Sequence, residues 1–322
     1  MAESLADYGL RKKIKESGQG QLKTVGIIGG GSMGREIIQI ISRHGINVVF
    51  IDLTQERVES IMKDIDAILN EIINKWGLTQ SEKRAILSRI KGTTDYNDIK
   101  DCDLVIESIN IKQRGSSVEA RKEVFRKIEA VVSPSTVIAS NNSTLMISDL
   151  AAALQQPERA VGLNFLTPAS TNKIVEVIRG LETNEKAYDF AIRFVKMLDK
   201  KPIILHESPG NVSTRLIVTL INEACELLME GVASVQCIDE TMKIGYGLQF
   251  GPFELADRVG LDKVLKWMNN LYQEFGSDKF KPSPIIKRLV RANFLGKKVS
   301  KGFYKYENNK IIKQAITATE FN

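Results

Sequence analysis

The segment GGGSMG at residues 29–34 constrains the fold more than any other feature of the sequence. It lies between a short apolar run, TVGIIG, and a stretch with apolar residues at helical spacing, MGREIIQIISR. A second apolar run, NVVFID, follows at residues 47–52. A strand, a helix and a second strand within about 30 residues form a β-α-β unit. The sequence therefore predicts a parallel sheet in which a glycine turn joins the first strand to the first helix.

The residue types in this turn suit the binding of phosphate groups. Gly29 permits a tight turn, Gly31 lets the backbone come close to a diphosphate, and Gly34 lets the helix pack against the sheet. The first helical residues, Ser32 and Met33, place backbone N–H groups and the positive end of the helix dipole near the phosphates. The turn therefore predicts a dinucleotide-binding site.

An aspartate, Asp52, ends the second predicted strand at the expected distance from the glycine turn. A carboxylate at this point accepts hydrogen bonds from the hydroxyl groups of the adenine ribose. It would repel the additional 2′-phosphate of NADP(H), because both groups are negatively charged. The site is therefore predicted to bind NAD(H) in preference to NADP(H).

Strand and helix patterns alternate along the first two thirds of the chain. Short apolar runs predict further strands at IKGTTD, DLVIESI, TVIASNN, AVGLNF, KIVEVI and PIILHE, and helical patterns separate several of them. This alternation is typical of an α/β fold with a doubly wound, mostly parallel sheet. After the breaker SPG at residues 208–210, the segments have helical periodicity and almost no strand pattern. We therefore predict a polar N-terminal extension over residues 1–22, a Rossmann-type domain over 23–207 and an all-helical domain over 208–322.

Composition argues against several other kinds of protein. The sequence contains no apolar run of about 18 residues and no apolar core in its N-terminal segment, so it predicts neither a transmembrane helix nor a secretory signal. Its three cysteines, Cys102, Cys225 and Cys237, show no paired spacing, which argues against a disulfide framework or a zinc site and favours the cytoplasm. The net charge of +6 is spread along the chain. A dispersed basic charge favours a phosphate-rich small molecule over nucleic acid.

Two predicted strands carry the candidate reaction centre. The segment RAVGLNFLTPASTNKIVEVI, residues 159–178, predicts a strand, a corner at Pro168 and a second strand that carries Glu176. A carboxylate in this position is typical of one half of an acid–base pair. The residue that would form the other half is Asn164, whose neutral amide cannot take up a proton at pH 7. The residues leave open whether the site has lost its base, works without it or is not catalytic.

Many segments together resemble the 3-hydroxyacyl-CoA dehydrogenases in their short two-domain form. The resemblance covers about residues 23–306 and includes VGIIGGGSMG, VVFIDLT, DLVIESI, ASNNSTLMIS, RAVGLNFLTP, KIVEVIRG, SPGNVSTRLI, IDETMKIGYGLQFGPFELADRVGLD and GKKVSKGFYKY. It implies a Rossmann-type domain followed by a helical domain that usually dimerises. It also implies the reversible, NAD-dependent oxidation of an L-3-hydroxyacyl-CoA to its 3-keto form, in a cleft between the two domains.

The resemblance implies a catalytic histidine–glutamate pair, in which the histidine takes the hydroxyl proton as a hydride leaves for the nicotinamide. The glutamate matches Glu176, and the histidine position is occupied by Asn164. The family segments HFFNP and PGFxxNR each contain an asparagine, and these positions hold Thr167 and Thr214. Three polar substitutions in an intact frame favour an altered site over random decay, which would more often remove the glutamate as well.

The resemblance implies further contacts with the substrate and the cofactor. The serine that touches both matches Ser143, and the asparagine two residues before it, Asn141, also lies at the cofactor. A family lysine near the cofactor matches Arg121, and another matches Lys298. Lys75 occupies a position where the family uses a lysine against the CoA phosphate. The loop over residues 109–121 is longer than its family counterpart, and either alters the cleft entrance or is a surface insertion.

Few groups in the sequence are candidates to replace the missing imidazole. His44 ends the first predicted helix and His206 ends a predicted strand, and both are expected on the surface. Glu176 acting through a water molecule is another candidate. General-base catalysis typically contributes about 10² to 10⁴ in rate, so its loss slows a reaction without preventing it. The Asn164 amide is expected to donate a hydrogen bond to a keto oxygen, which would help reduction more than oxidation.

We therefore expect an NAD-dependent dehydrogenase that acts on a 3-hydroxyacyl thioester with an altered proton-transfer site. One alternative keeps this chemistry but acts on a specialised acyl group carried by an acyl carrier protein in a biosynthetic pathway. Another alternative is a non-catalytic NAD(H)-binding relative with a structural or regulatory role. A homodimer through the C-terminal helices is implied by the resemblance, and neither a membrane nor a nucleic-acid partner is predicted. The helical apolar stripe that serves as core or dimer contact contains Leu216, Leu220, Leu227 and Leu228.

Overall fold

The computed structural model describes residues 22–74, 77–110, 117–308 and 310–316. Three sequence predictions fall outside these residues: the polar extension up to residue 21, Lys75, and the centre of the longer loop at residues 111–116. Leu22, the last residue of the predicted extension, is buried in an apolar core of the sheet. Leu22 therefore belongs to the packed core, whereas the sequence assigns it to the extension.

In the described residues, eight strands form one sheet. In chain order they are β1 (Thr24–Ile28), β2 (Asn47–Ile51), β3 (Ile90–Thr93), β4 (Leu104–Glu107), β5 (Val137–Ser140), β6 (Ala160–Phe165), β7 (Ile174–Arg179) and β8 (Lys201–His206). Their spatial order is β3-β2-β1-β4-β5-β6-β7-β8, and every neighbouring pair is parallel except β6 with β7. The strand order changes direction between β1 and β4, where doubly wound sheets bind ligands. The predicted doubly wound, mostly parallel sheet is confirmed.

Helices cover both faces of this sheet. Among the described residues before the C-terminal region they are α1 (Ser32–Arg43), α2 (Gln55–Asn74), α3 (Gln80–Leu87), α4 (Ser117–Glu129), α5 (Ile147–Ala151) and α6 (Glu185–Met197). Side chains of α1, α2 and α6 form one apolar core with Ile27 and Ile106. Side chains of α4 and α5 form another with Ile28 and Val105. Neighbouring strand residues thus enter different cores, because successive side chains of a strand point to opposite faces.

The C-terminal region is helical and has an apolar core of its own. Its helices are α7 (Ser213–Met229), α8 (Val235–Glu240), α9 (Pro252–Val259), α10 (Leu261–Phe275) and α11 (Pro284–Arg291), and a π-helical turn, Thr241–Gly245, follows α8. The core includes Ile221, Phe253 and Met268. In the described part of the chain, no helix has the length and apolar character needed to cross a bilayer.

A two-stranded antiparallel ribbon, β9 (Tyr304–Glu307) and β10 (Lys310–Gln314), follows these helices. This ribbon departs from the all-helical arrangement that the sequence predicts. The prediction missed it because both strands are rich in charged residues and neither forms an apolar run. The hydroxyls of Tyr304 and Tyr306 donate 2.9 Å hydrogen bonds to the buried carboxylates of Asp239 and Asp257. These two contacts fix the ribbon to the helices.

Candidate active site

The glycine turn between β1 and α1 is tightly packed at Gly29 and Gly34 and has free space around Gly31. Gly29 has a φ of +99°, and a Cβ on Gly34 would lie 2.0 Å from the Gly29 carbonyl oxygen. A Cβ on Gly31, in contrast, would have no atom within 4 Å. The first turn of α1, with Ser32 and Met33, contains no acidic residue. The backbone therefore leaves room for a diphosphate at the positive end of the helix, and the turn fits a dinucleotide.

Asp52 follows β2 and braces the same turn. Its carboxylate accepts hydrogen bonds from the backbone N–H of Gly30 at 2.9 Å and from that of Leu53 at 2.8 Å. The Nε of Arg57 lies 3.5 Å from one carboxylate oxygen, and the Arg57 side chain is 54% exposed. Sequence reasoning missed Arg57, although an arginine near this aspartate is a known way to receive a 2′-phosphate. The carboxylate of Asp52 therefore lies beside the glycine turn, with the Arg57 cation next to it.

Asn164 and Glu176 face each other across the antiparallel pair of β6 and β7. The two residues are direct register partners, and Asn164 Nδ2 donates a 2.7 Å hydrogen bond to Glu176 Oε2. Both are almost fully buried, with 5% and 2% of their surface exposed. The chain turns back after Pro168, which pairs two strands whose sequence patterns alone do not fix their register. The structure therefore brings the predicted amide and carboxylate into one site.

A residue that sequence reasoning missed, Ser213, completes this cluster. Its backbone N–H donates to Glu176 Oε1 at 2.9 Å, and its hydroxyl donates to Glu176 Oε2 at 3.0 Å. Ser213 is the first residue of α7, so the available signal was a helix start three residues after the breaker SPG at residues 208–210. Three donors, two from the C-terminal helix and one from β6, thus hold the carboxylate in a single orientation.

These hydrogen bonds also determine which end of the Asn164 amide faces Glu176. An amide presents a donor at Nδ2 and an acceptor at Oδ1, and the contact with the Glu176 oxygen uses the donor. In the described part of the chain, Asn164 Oδ1 accepts no hydrogen bond. Asn164 therefore offers a ligand a neutral acceptor that cannot hold a proton at neutral pH. One Nδ2 hydrogen is committed to Glu176, which limits the donation to a keto oxygen that the sequence suggests.

Asn141 and Ser143 lie on the loop that follows β5. Asn141 Oδ1 accepts a 2.9 Å hydrogen bond from the backbone N–H of Phe165, and its Nδ2 donates to Ser108 Oγ at 3.3 Å. Asn141 thereby joins the carboxyl ends of β4, β5 and β6. The Ser143 hydroxyl has no hydrogen-bond partner among the described residues, and the residue is partly exposed. Of these two residues, Ser143 has the side chain that is available to a ligand.

The other polar positions lie around the junction of the sheet with the C-terminal helices. Thr167 Oγ1 accepts a 3.0 Å hydrogen bond from the Nζ of Lys263 on α10. Thr214, in the first turn of α7, is 2% exposed. The Nζ of Lys298 lies 2.6 Å from both carboxylate oxygens of Asp262. The structure therefore places Thr167 at the junction, Thr214 inside the protein, and Lys298 in an ion pair.

The guanidinium of Arg121 contacts other residues of the protein. It forms an ion pair with the buried Glu107 and donates a 2.9 Å hydrogen bond to the carbonyl oxygen of Ile109. Glu107 also accepts a 2.7 Å hydrogen bond from Ser140 Oγ. Arg121 is 6% exposed. Its contacts hold the segment after β4, while its buried Nε–H has no hydrogen-bond partner in the described part of the chain.

Both histidines of the chain are exposed, as the sequence predicts. His44 follows α1 and its Nδ1 lies 2.7 Å from the carbonyl oxygen of Ile40. His206 ends β8, the outermost strand of the sheet, and β7 separates this strand from β6. An exposed imidazole at the sheet edge is not placed beside Asn164. Neither histidine of the chain therefore lies in the site of Asn164 and Glu176.

The glycine turn, the aspartate after β2 and the paired amide and carboxylate together define a dinucleotide-binding oxidoreductase. A sequence model of the 3-hydroxyacyl-CoA dehydrogenase NAD-binding domain matches residues 24–208, and that of the 3-hydroxyacyl-CoA dehydrogenase C-terminal domain matches residues 210–306. The chain therefore belongs to the 3-hydroxyacyl-CoA dehydrogenase family of NAD-dependent oxidoreductases. This confirms the resemblance and the expectation of NAD as the cofactor.

Individual relatives are similar over nearly their full lengths. A 3-hydroxybutyryl-CoA dehydrogenase of Clostridioides difficile is 36% identical over 280 residues, which cover 87% of this chain and 98% of that protein. The crystal structure of FadB2 from M. tuberculosis is 31% identical with a TM-score of 0.85, over 89% of this chain and 100% of that one. The (S)-3-hydroxybutyryl-CoA dehydrogenase PaaH1 from Ralstonia eutropha is 37% identical with a TM-score of 0.81, over the same shares.

Proposed function

We propose that this protein interconverts a 3-hydroxyacyl thioester and its 3-keto form with NAD, and that Asn164 stands where the family has its base. The single observation that carries the proposal is the hydrogen bond between Asn164 and Glu176 at 2.7 Å. It keeps the arrangement of an acid–base pair in a chain whose relatives include proteins named 3-hydroxybutyryl-CoA dehydrogenases. The expected substrate is therefore a short 3-hydroxyacyl thioester of CoA.

The side chains of the site suggest how the reaction would proceed. Bound NAD would supply the hydride acceptor. Asn164 Oδ1 would accept a hydrogen bond from a water molecule that itself accepts one from the substrate's 3-hydroxyl, while Glu176, held in turn by Ser213, keeps the amide in place. As the hydride leaves for NAD, this water would take the hydroxyl proton and release a proton to Glu176 or to bulk water. Positioning of the reactants would preserve turnover at a rate about 10² to 10⁴ below that of a site with an imidazole.

The remaining site assignments are part of the same proposal. Ser143 would contact both the thioester and the cofactor, because its hydroxyl has no partner among the described residues. Thr167, at the junction, would suit a small or polar acyl group, and Thr214, which is 2% exposed, stays a predicted substrate contact. Lys75, which lies outside the described residues, stays a predicted contact for the CoA phosphate. The proposed cofactor contacts are Gly29, Gly31, Ser32, Met33, Gly34, Asp52, Arg121, Asn141, Ser143 and Lys298.

Particular residues of the site also support two alternative functions. The polar positions Thr167 and Thr214 also suit a specialised acyl group on an acyl carrier protein. The amide of Asn164, which cannot take up a proton, suits a non-catalytic NAD(H)-binding relative with a structural or regulatory role. Either alternative leaves the cofactor site as described and changes only what happens beside Asn164.

The organisation of the protein in solution is also proposed. Residues 23–207 and 208–322 would form two domains, since their described parts have separate apolar cores. A homodimer would form through exposed apolar side chains of the C-terminal helices, including Leu216 at 67% exposure, whereas Leu228 is fully buried and belongs to the core. Burial raises the pKa of the Cys102 and Cys225 thiols to about 12, and stable free thiols suit the cytoplasm.

A carrier competition tests the proposed substrate. NADH oxidation would be followed at 340 nm with acetoacetyl-CoA and with the same acyl group on an acyl carrier protein, first separately and then in mixtures. The proposal predicts that the CoA thioester is turned over. In mixtures, the same acyl group on the carrier protein should not suppress that turnover. Preference for the carrier-bound form would favour the biosynthetic alternative. Calorimetric binding of NADH without turnover of either thioester would favour the non-catalytic one.

A further inference from the structure

A lysine on α10, Lys263, reaches across the junction to the loop after β6. Its Nζ donates a 3.0 Å hydrogen bond to Thr167 Oγ1 and lies 5.0 Å from the ring centroid of Trp267. Burial lowers the pKa of Lys263 below the ordinary lysine value. Both of these partners are uncharged. A cation held in such surroundings destabilises the free protein unless an anion joins it.

The protein supplies little negative charge to this ammonium group. Among the described residues, no carboxylate lies within ion-pair distance of Lys263 Nζ. Glu36 on α1 acts on it from farther away, and one of its oxygens already accepts a 3.1 Å hydrogen bond from the backbone N–H of Ser170. Asp262, the residue before Lys263, is engaged by Lys298 at 2.6 Å. The charge around Lys263 is therefore incompletely balanced.

Other residues on the same face of α10 also meet the carboxyl edge of the sheet. Asn270 Nδ2 donates a 2.8 Å hydrogen bond to Thr144 Oγ1 on the loop after β5. Burial lowers the pKa of Lys266. The charges of Glu107, which ends β4, and of its ion-pair partner Arg121 also influence this pKa. Residues 263, 266 and 270 share one helical face because they are three or four positions apart. This face of α10 thus lies over the ends of β4, β5 and β6.

The position of Lys263 relative to the glycine turn points to the missing anion. The contact of Glu36 with Ser170 packs the loop after β6 against α1, whose N-terminus is the diphosphate site. Thr167, on the same loop, follows the strand that carries Asn164. Lys263 therefore contacts the loop that follows the strand of the reaction centre and packs against α1. Building on the proposed function, we propose that Lys263 binds the diphosphate of NAD(H) from the C-terminal side and thereby holds the nicotinamide half of the cofactor.

Three variants of the full-length protein separate the charge of Lys263 from its hydrogen bond. Lys263→Gln keeps a donor for Thr167 but removes the charge, and Lys263→Arg keeps the charge. Lys281→Gln removes an exposed lysine elsewhere on the C-terminal region and serves as the matched control. Isothermal titration calorimetry at low salt would give the dissociation constants of NADH, AMP and acetoacetyl-CoA for each. Thermal unfolding would check that every variant is folded.

The proposal predicts that Lys263→Gln weakens NADH binding about tenfold, the loss expected for one charge-assisted contact. Lys263→Arg and Lys281→Gln should stay within about threefold of the native protein, and AMP, which lacks the diphosphate, should bind all four proteins similarly. The deficit of Lys263→Gln should shrink at high salt. Equal NADH affinity in native protein and Lys263→Gln would overturn the inference and leave the proposed function intact. So would a loss confined to acetoacetyl-CoA, which would assign Lys263 to the substrate. Failure of the native protein to bind NADH would overturn both.

Discussion

Asn164 donates a 2.7 Å hydrogen bond to Glu176 across the antiparallel strands β6 and β7. The amide supplies the donor that the carboxylate requires, as the near nitrogen of an imidazole would. It supplies no nitrogen that can accept a proton from a substrate. Ser213 adds two further donors to the same carboxylate, at 2.9 and 3.0 Å. The site thus holds a carboxylate in a defined orientation beside a neutral amide, which under the proposed function stands where the family has its base.

The donors around Glu176 predict a difference between two substitutions. Glu176→Gln places an amide N–H₂ among three donors, so at least one buried donor loses its acceptor, and we expect the free energy of unfolding to fall by about 1–3 kcal/mol. Ser213→Ala removes one hydroxyl donor and keeps the backbone N–H, so about 1 kcal/mol is expected. Equilibrium unfolding in urea measures both. A Glu176→Gln variant as stable as the native protein would show that the carboxylate is not held in this way.

The glycine turn predicts that two glycine substitutions will separate stability from cofactor binding. Gly34→Ala places a Cβ 2.0 Å from the Gly29 carbonyl oxygen, so the backbone must shift, at a cost of about 1–3 kcal/mol in stability. Gly31→Ala meets no atom within 4 Å, so the thermal midpoint should not change. It should nevertheless weaken NADH binding about tenfold or more, because the methyl group occupies the approach of the diphosphate. Unchanged NADH affinity in Gly31→Ala would place the diphosphate elsewhere.

Asp52 and Arg57 predict how the choice of cofactor can be changed. Asp52→Ser removes the carboxylate that repels a 2′-phosphate, while Arg57, 3.5 Å from that carboxylate in the native protein, remains. We expect NADH binding to weaken about tenfold and NADPH binding to improve, because the arginine is released to pair with the phosphate. Titration calorimetry with both nucleotides measures the change. In Asp52→Ser with Arg57→Gln the gain for NADPH should disappear, and a gain that persists would mean that Arg57 does not contact the phosphate.

A buried carboxylate in the C-terminal core predicts how stability depends on pH. Burial raises the pKa of Asp257 to about 7, and the ordinary value is 3.8. Between these values the folded chain holds a proton on Asp257 that the unfolded chain has released, so the free energy of unfolding falls as the pH rises through this window. Asp257→Asn cannot titrate, and its stability should fall less over the same range. Urea unfolding from pH 4.5 to 7.5 measures the two slopes, and parallel slopes would contradict the predicted titration.

Local patterns predict the sheet and the cofactor turn well, because each depends on residues that are close in sequence. The apolar runs around GGGSMG fix a β-α-β unit, and Asp52 follows directly from the end of β2. The sequence placed Asn164 and Glu176 on consecutive strands, but their direct opposition depends on the register of β6 with β7, which the structure supplies. These features need no knowledge of how the C-terminal helices pack.

Contacts that cross between the sheet and the C-terminal helices could not be predicted in this way. Ser213 and Lys263 look in the sequence like ordinary polar residues of helices α7 and α10. Their contacts with Glu176 and Thr167 exist only because those helices pack against the carboxyl edge of the sheet. The buried pairing of Arg121 with Glu107 is likewise a consequence of tertiary packing, and it replaces the freely available cation that the sequence suggested.

The most direct test of the proposed change at the proton-transfer site compares the native protein with Asn164→His. Oxidation of NADH at 340 nm would be measured for both proteins with acetoacetyl-CoA as substrate. We expect slow turnover by the native protein and an increase of about 10² to 10⁴ in Asn164→His, because the imidazole would receive the orientation that Glu176 and Ser213 provide. Absence of turnover in both proteins, while both bind NADH, would contradict the proposed substrate and the role assigned to Asn164.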